Sequence, residues 1–270
     1  MIYFLIFVVV ALLLTFPILG LLVHFQFKKD VQALFSGLQF SEKIYSVSIL
    51  HGLPEPVQRY FRHVLKPGQQ YISCARLKHS GLFKSSEKDK FEKINGEQYF
   101  NTVSPGFIWK GRTSLFTAID MYLHKQGKLN VYLFSCIPIL RGKGKSYDQG
   151  ELLRWLGESA WFPTNLLPAE NLSWSAIDDT TALLLYKKNN LELSYKIFFN
   201  ARNEIESMQT KRYMGKDGLR DWIGHFSEYK EFNGMIIPTL VEGAWVVQDE
   251  QKPYAIFEVD RMEYDIAEKF

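Results

Sequence analysis

Between Tyr71 and Tyr264 the chain reads as short strand-like runs that turn back roughly every eight to twelve residues, broken once by a helix, and this pattern constrains the fold most. Strands joined by tight turns must pair antiparallel, because parallel neighbours need a crossover of a dozen residues or more. Runs at Tyr71–Lys84, Lys90–Ile94, Glu97–Thr102, Phe107–Leu115, Thr117–Lys125 and Lys128–Cys136 precede the helix. Runs at Leu172–Ile177, Thr181–Lys187, Leu191–Phe199, Glu204–Tyr213, Asp221–Phe232, Met235–Val247 and Tyr254–Tyr264 follow it. Leu191, Leu193, Tyr195, Ile197 and Phe199 alternate with Glu192, Ser194 and Lys196, the period of a strand with one buried face. Asn95-Gly96 and Asn233-Gly234 are expected to be hairpin turns, since both residue types accept positive φ. Further turns are expected at Gln126-Gly127, Asp178-Asp179 and Lys216-Asp217-Gly218. The fold class is therefore mainly β (α+β): a large antiparallel meander of about a dozen strands, an open or unclosed barrel.

The interruption is Ser146–Pro168, SYDQGELLRWLGESAWFPTNLLP. Leu152, Leu153, Leu156 and Ala160 recur at helical spacing, with Trp155 on the flank, so a helix is expected over 149–161. Asp148 and Glu151 have capping-box spacing, and Pro163 stops the helix. A helix in the middle of a meander is expected to pack on the sheet as a plug or lid. An earlier helix is expected near 55–66: Pro56 suits a first turn, and Val57, Tyr60, Phe61, Val64 and Leu65 form one apolar stripe. Its other face carries Arg59, Arg62, His63 and Lys66, read either as contacts for phosphate headgroups or as a solvated face.

Met1–Phe27 contains no Asp, Glu, Lys or Arg, long enough to cross a bilayer, for which about 20 apolar residues suffice. No basic residue precedes the run and no small-residue cleavage site ends it, so an uncleaved anchor is expected rather than a signal peptide. Three segments result: a transmembrane anchor at 1–27, a juxtamembrane helix and connector at 28–50, and one antiparallel β domain at 51–270. Val31, Leu34, Phe35 and Leu38 continue a helical stripe, either at the membrane interface or packed on the domain. Lys28 and Lys29 place the domain in the cytoplasm by the positive-inside rule; a carrier-like role would place it in the periplasm or outside the cell.

Chemistry is sparse. A net charge of +3 gives no footprint for nucleic acid. Cys74 and Cys136 form no metal or redox spacing and are read as two free buried thiols. No histidine pair has ligand spacing, so neither metal nor cofactor is expected. Gly142-Lys143-Gly144-Lys145-Ser146 lacks the first glycine of a phosphate loop, Ile139 standing there, and reads as a basic loop. Gly157–Trp161 lacks the final glycine of a nucleophile elbow. His79 and His124 lie on expected strands and could meet. Arg112, Asp120, Glu158, Arg212, Glu228 and Glu242 are isolated charges on expected elements.

Leu53-Pro54-Glu55-Pro56-Val57-Gln58-Arg59-Tyr60, Gly150–Trp155 and Trp161-Phe162-Pro163-Thr164-Asn165-Leu166-Leu167-Pro168 resemble the motifs of a bacterial family of unknown function, LPxPVxRY and GELxRYLxE–WxPTxLLP. Trp155 stands where that pattern has Tyr, and Asn233–Pro238 corresponds to its late turn. The resemblance spans most of 51–264 and implies no chemistry. In layout the chain is also similar to envelope lipoprotein carriers, whose unclosed barrels hold helices against an apolar cavity. Three readings follow. The first is a membrane-anchored, non-enzymatic binding protein for an apolar or amphipathic ligand (a lipid or lipidated protein), with Trp155, Leu156, Trp161 and Phe162 lining the pocket and Arg59, Arg62 and Lys66 touching headgroups. The second is a structural or interaction module of a membrane complex with a filled core. The third is an enzyme of unrecognised type, which would need His79 or His124 to meet a carboxylate in a pocket.

Overall fold

The structure, a computed structural model, describes residues 1–188, 191–214 and 218–270, with the side chains of Ile2 and residues 4–15 outside the description. Thirteen strands form one sheet, every pairing antiparallel. The first six are β1 (Cys74–Phe83), β2 (Glu92–Asn101), β3 (Gly106–Arg112), β4 (Phe116–Leu123), β5 (Gln126–Leu133) and β6 (Ile137–Lys143). After the central helix come β7 (Leu172–Asp178), β8 (Thr181–Lys188), β9 (Leu191–Phe199), β10 (Ile205–Tyr213), β11 (Leu219–Phe232), β12 (Met235–Val247) and β13 (Glu250–Tyr264). Each group is a plain meander. The two are joined by β1 and β13, which pair from Ala75↔Tyr264 to Phe83↔Ala255. The sheet order thus runs β6 to β1, then β13 back to β7, leaving β6 and β7 as free edges.

The connection between those edges closes the architecture. It comprises α3 (Lys145–Gly157) and two 3₁₀ turns, Glu158–Trp161 and Pro163–Leu166. It packs on the sheet's inner face with α2 (Glu55–Val64), around a core that includes Phe61, Phe100, Phe107, Trp155, Trp161 and Tyr195. The outer face is covered differently. The helix α1 runs unbroken from Ile2 to Phe35, so no joint separates its first 27 residues from the following stripe. Phe27, Val31, Leu34 and Phe35 bury themselves against Cys74, Tyr99, Ile108, Ile119 and Met121. The stripe beyond the charge-free run therefore packs on the domain; each such side chain is worth about 1.5–3 kcal/mol when buried. Asn101 Nδ2 donates to the Leu34 carbonyl (2.9 Å), fixing the end of α1 beside the start of β3. Among the described residues no helix is long and apolar enough to cross a membrane.

Several local expectations change. β2 runs straight through Asn95-Gly96, which is no turn. The glycine is there because the His79 ring lies over it: a Cβ at residue 96 would sit 2.1 Å from His79 Nε2. The neighbouring Gly111 is covered in the same way by the Trp109 ring. The β4–β5 turn is His124-Lys125, both at positive φ, and Gln126-Gly127 begins β5. The basic stretch at 141–145 is not a loop but the end of β6 and the start of α3. Lys216 and Asp217, expected in a turn, lie outside the described residues. Asn233-Gly234 does turn, with φ of 48° and 82°. Both cysteines are free and buried; burial pushes the Cys74 thiol up to about 12.

Replacing Gly96 by Ala should cost about 1–3 kcal/mol, the usual penalty of overpacking. Chemical denaturation of Gly96→Ala beside Asn95→Ala, whose side chain is exposed, checks this. Equal stabilities would mean that His79 does not hold its place above β2.

Candidate functional site

Glu151 and Arg154 on α3 and Glu158, which caps its C-terminus with helical backbone angles, stand at i, i+3 and i+7, so all three point from one face into the barrel. There they meet polar residues from both halves of the sheet. Arg154 Nη1 donates to Asp120 Oδ2 on β4 at 2.7 Å, and its Nε donates to Glu158 Oε1 at 2.8 Å. Gln98 on β2 donates to Glu158 Oε2 at 2.6 Å. The guanidinium lies over the rings of Trp109 and Phe107, 4.8 and 5.0 Å from their centroids. From the other half, Arg212 on β10 approaches Glu151 Oε1 at 3.6 Å. The cluster is largely buried: the Arg154, Arg212 and Asp120 side chains are 12%, 14% and 10% exposed.

Proton placement follows from the unpartnered atoms. Asp120 Oδ1 and Glu151 Oε2 are buried without a donor, and Asp120 is a side-chain hydrogen-bond neighbour of Glu151. Burial, reinforced by the Asp120 charge, raises the Glu151 carboxyl well above its ordinary range against the opposing pull of Arg212 and Arg154. A Glu151 that keeps its proton can donate it toward Asp120 Oδ1, which would satisfy both orphan oxygens. Burial also raises Glu158, though Arg154 and Gln98 pull the other way. Beside this group Trp109 Nε1 donates to His79 Nε2 at 2.8 Å, while His79 stacks on Phe257 at 4.2 Å. His79 is thus a neutral acceptor in a sealed aromatic stack, lowered to about 4 by burial.

Chemically this is a clasp. It fastens α3 to β2 and β4 through Arg154, and to β10 through Glu151. The expected capping box is not formed: α3 starts after Gly144, Asp148 Oδ1 accepts from Gly127 N at 2.7 Å, and Glu151 belongs to the clasp. Of the charges noted in the sequence, Asp120, Glu158 and Arg212 converge. Arg112, Glu228 and Glu242 lie elsewhere, and His124 sits exposed in a turn far from His79's stack. Arg154 and Gln98 were not singled out. The signal for Arg154 was its spacing from Glu151 and Glu158, a charged face on a helix otherwise rich in leucine.

The four residues expected to line a pocket are placed in the plug and are buried: Trp155 2%, Leu156 0%, Trp161 1% and Phe162 0% exposed. Trp155 Nε1 donates to the Asn101 carbonyl and Trp161 Nε1 to the Pro238 carbonyl, while Phe162 lies 4.8 Å from Phe100. They fill the barrel in this conformation. The cations of α2 and of the turn after it have protein partners: Arg59 with the Asp179 carbonyl and Asn203, Arg62 with Gln58, and Lys66 with Glu231. Among the described residues no cluster could hold a metal ion.

An unclosed antiparallel barrel plugged by its own inter-meander helix defines the class of protein. Residues 43–257 match the model of the family of unknown function DUF6544, and the chain belongs to that family. No curated protein matches it. Two solved structures are similar in layout. One is a domain described as an outer membrane lipoprotein-sorting protein from Vibrio parahaemolyticus, at 8% identity and a TM-score of 0.42, covering 78% of this chain and 91% of that one. The other is a LolA superfamily protein from Nitrosomonas europaea, at 7% identity and 0.38, covering 78% and 93%.

Arg154→Met should destabilise the fold by about 3–5 kcal/mol, since it strands two buried acids. Glu151→Gln should behave differently. An unfolded Glu151 ionises above about pH 4.5, whereas the folded one keeps its proton. Parent stability should therefore lose up to about 1.4 kcal/mol per pH unit from this group as pH rises above that value, until the raised folded pKa is passed. The glutamine variant lacks that slope. Denaturation curves of the two proteins between pH 5 and 8 should diverge in the variant's favour; parallel curves would place an ionised Glu151 in the clasp.

Proposed function

We infer that this protein is a membrane-tethered, non-enzymatic binding module of the bacterial envelope, engaging its partner at the bilayer surface. The observation that carries this is α1. Its charge-free stretch, residues 2–27, continues without a break into a segment locked on the domain by Phe27, Val31, Leu34 and Phe35. An anchor joined through a continuous helix holds the domain in one pose, where a flexible linker would let it wander. The filled interior favours a partner that docks on the outside. The residues whose chemistry could suggest catalysis, His79 and the clasp, are enclosed. Lys28 and Lys29 favour the cytoplasmic face.

A second reading rests on the plug. The segment from α3 to Leu166 alone joins the two free edges, and beneath it lie aromatic side chains such as Phe100, Phe107 and Tyr195. Were the clasp to release, an apolar or amphipathic ligand, a lipid or the lipid of a modified protein, would find the lining exposed, with Trp155, Leu156, Trp161 and Phe162 on the moving wall.

Alkaline carbonate extraction of cell membranes tests the tether. The full chain should remain in the pellet. Val9→Arg combined with Leu13→Arg should release it, because each buried charge costs about 2.5–3.5 kcal/mol on insertion; release of the parent chain would remove the anchor. Native mass spectrometry of the parent, taken from nanodiscs, separates the two readings. A bare mass supports an external partner, and a retained lipid that Arg154→Met binds more readily supports the plug reading.

A further inference from the structure

The end of the domain toward which the N-terminal part of α1 runs combines apolar tips with a cation. Its role at the membrane rests on the anchor reading above. From Leu34 back to Gly20 the helix covers about 21 Å, and it lies along β3, which is about 20 Å long. Its C-terminal end meets Gly106 through Leu34, and Phe27 lies under Lys110, 4.1 Å from ring centroid to Nζ. Gly20, Val23 and His24 therefore reach the far end of β3, where they and Arg112, Thr117 and Ser135 line a groove of about 140 Å³. Because Phe27 already packs on the domain and Lys28 follows it, a spanning helix leaves the hydrocarbon before them, which puts Gly20–His24 near headgroup depth.

Two kinds of residue converge at that end. In an antiparallel meander the β1–β2, β3–β4 and β5–β6 connections share one end of the sheet. Each presents a bare apolar side chain: Phe91 is 38% exposed, Leu115 44% and Phe134 59%. Phe134 is held out by a tight turn, with φ of 51° there and 62° at Ser135. Among them stands Arg112, exposed and, among the described residues, without a carboxylate in ion-pair range; its Nη2 donates to Ser135 Oγ at 3.0 Å. Arg112 also borders an open depression of about 420 Å³ shared with Lys93, Asn95, Thr113 and Ser114, and with one acid, Glu92. By contrast Arg59 and Lys66, toward the opposite end, face the carboxylates of Glu55 and Glu231, and Arg62 there donates to the Gln58 side chain one turn back on its own helix.

We propose that Leu115 and Phe134 dip into the membrane interface beside the anchor, and that Arg112, with the hydroxyls of Ser135 and Thr117, binds the phosphate of an anionic phospholipid. Apolar tips flanking a cation match the layered chemistry of that interface, where hydrocarbon lies beneath phosphate. A paired surface arginine would have nothing to offer a lipid; this one has a free charge, a hydroxyl platform and an apolar wall.

The test uses the full chain in vesicles of zwitterionic lipid with or without phosphatidylglycerol. Single cysteines are placed at Leu115, Phe134 or Val103 in a Cys74→Ala, Cys136→Ala background and labelled with a fluorophore. Val103, 56% exposed between β2 and β3, marks the opposite end. Labels at 115 and 134 should lose fluorescence to brominated lipids while the label at 103 does not. That loss should deepen with phosphatidylglycerol in the parent and become indifferent to it in Arg112→Gln. Labels at 115 and 134 as open to water as that at 103 would overturn the proposal. Quenching that ignores both lipid charge and Arg112 would overturn the phosphate site. Extraction of the chain by carbonate is a separate result, which removes the anchor itself.

Discussion

The pairing of β1 with β13 is the constraint on which the rest of the structure depends. It joins residues from opposite ends of the domain, from Ala75↔Tyr264 to Phe83↔Ala255, and turns two independent meanders into one sheet. Without it each meander would present a large apolar face to water. With it the sheet is continuous, and the segment between β6 and β7 crosses its inner face, where α3 touches β4 and β5 on one side and β9 and β10 on the other. The stack of Phe257 from β13 on His79 from β1 sits on this seam. Such contacts are entropically expensive to form early, so this seam should be a late and cooperative event in folding.

The interior shows two ways of holding one helix. Leu152, Leu153, Trp155 and Leu156 are held by burial, which is strong but indifferent to small shifts in register. Arg154, Glu151, Asp120 and Glu158 are held by directed contacts, which contribute less net stability than an apolar replacement could, yet permit one alignment only. The clasp thus specifies where α3 lies more than it strengthens the fold. It also gives the plug's attachment a dependence on pH, because burial raises the Glu151 carboxyl above its ordinary range.

The outer face follows a different logic. α1 uses its last turns as an ordinary packing element, and its residues 2–27 form a charge-free run. Because the same rigid helix does both, its orientation on the sheet selects which end of the barrel lies nearest the start of the chain. The exposed Leu115 and Phe134 and the unpaired Arg112 are found at that end, and the paired cations of α2 at the other.

Period and turn chemistry were legible in the sequence: the alternation in β9, the turn at Asn233-Gly234, the stripe of α2 and the apolar start of α1. These are properties of neighbouring residues, and local sterics and burial suffice to set them. Asn95-Gly96 misled because a glycine that looks like a turn can equally serve a ring from the next strand, and only the β1–β2 register brings His79 over it. Glu151 misled for a similar reason: its spacing from Asp148 allowed a cap, but α3 starts at Lys145, which puts Asp148 inside the first turn and leaves Glu151 to face Arg212 on β10. The joining of the meanders, the filled barrel and the clasp depend on residues far apart in the chain. Nothing local encodes them, since a strand's pattern states which face is buried but not which strand will lie beside it.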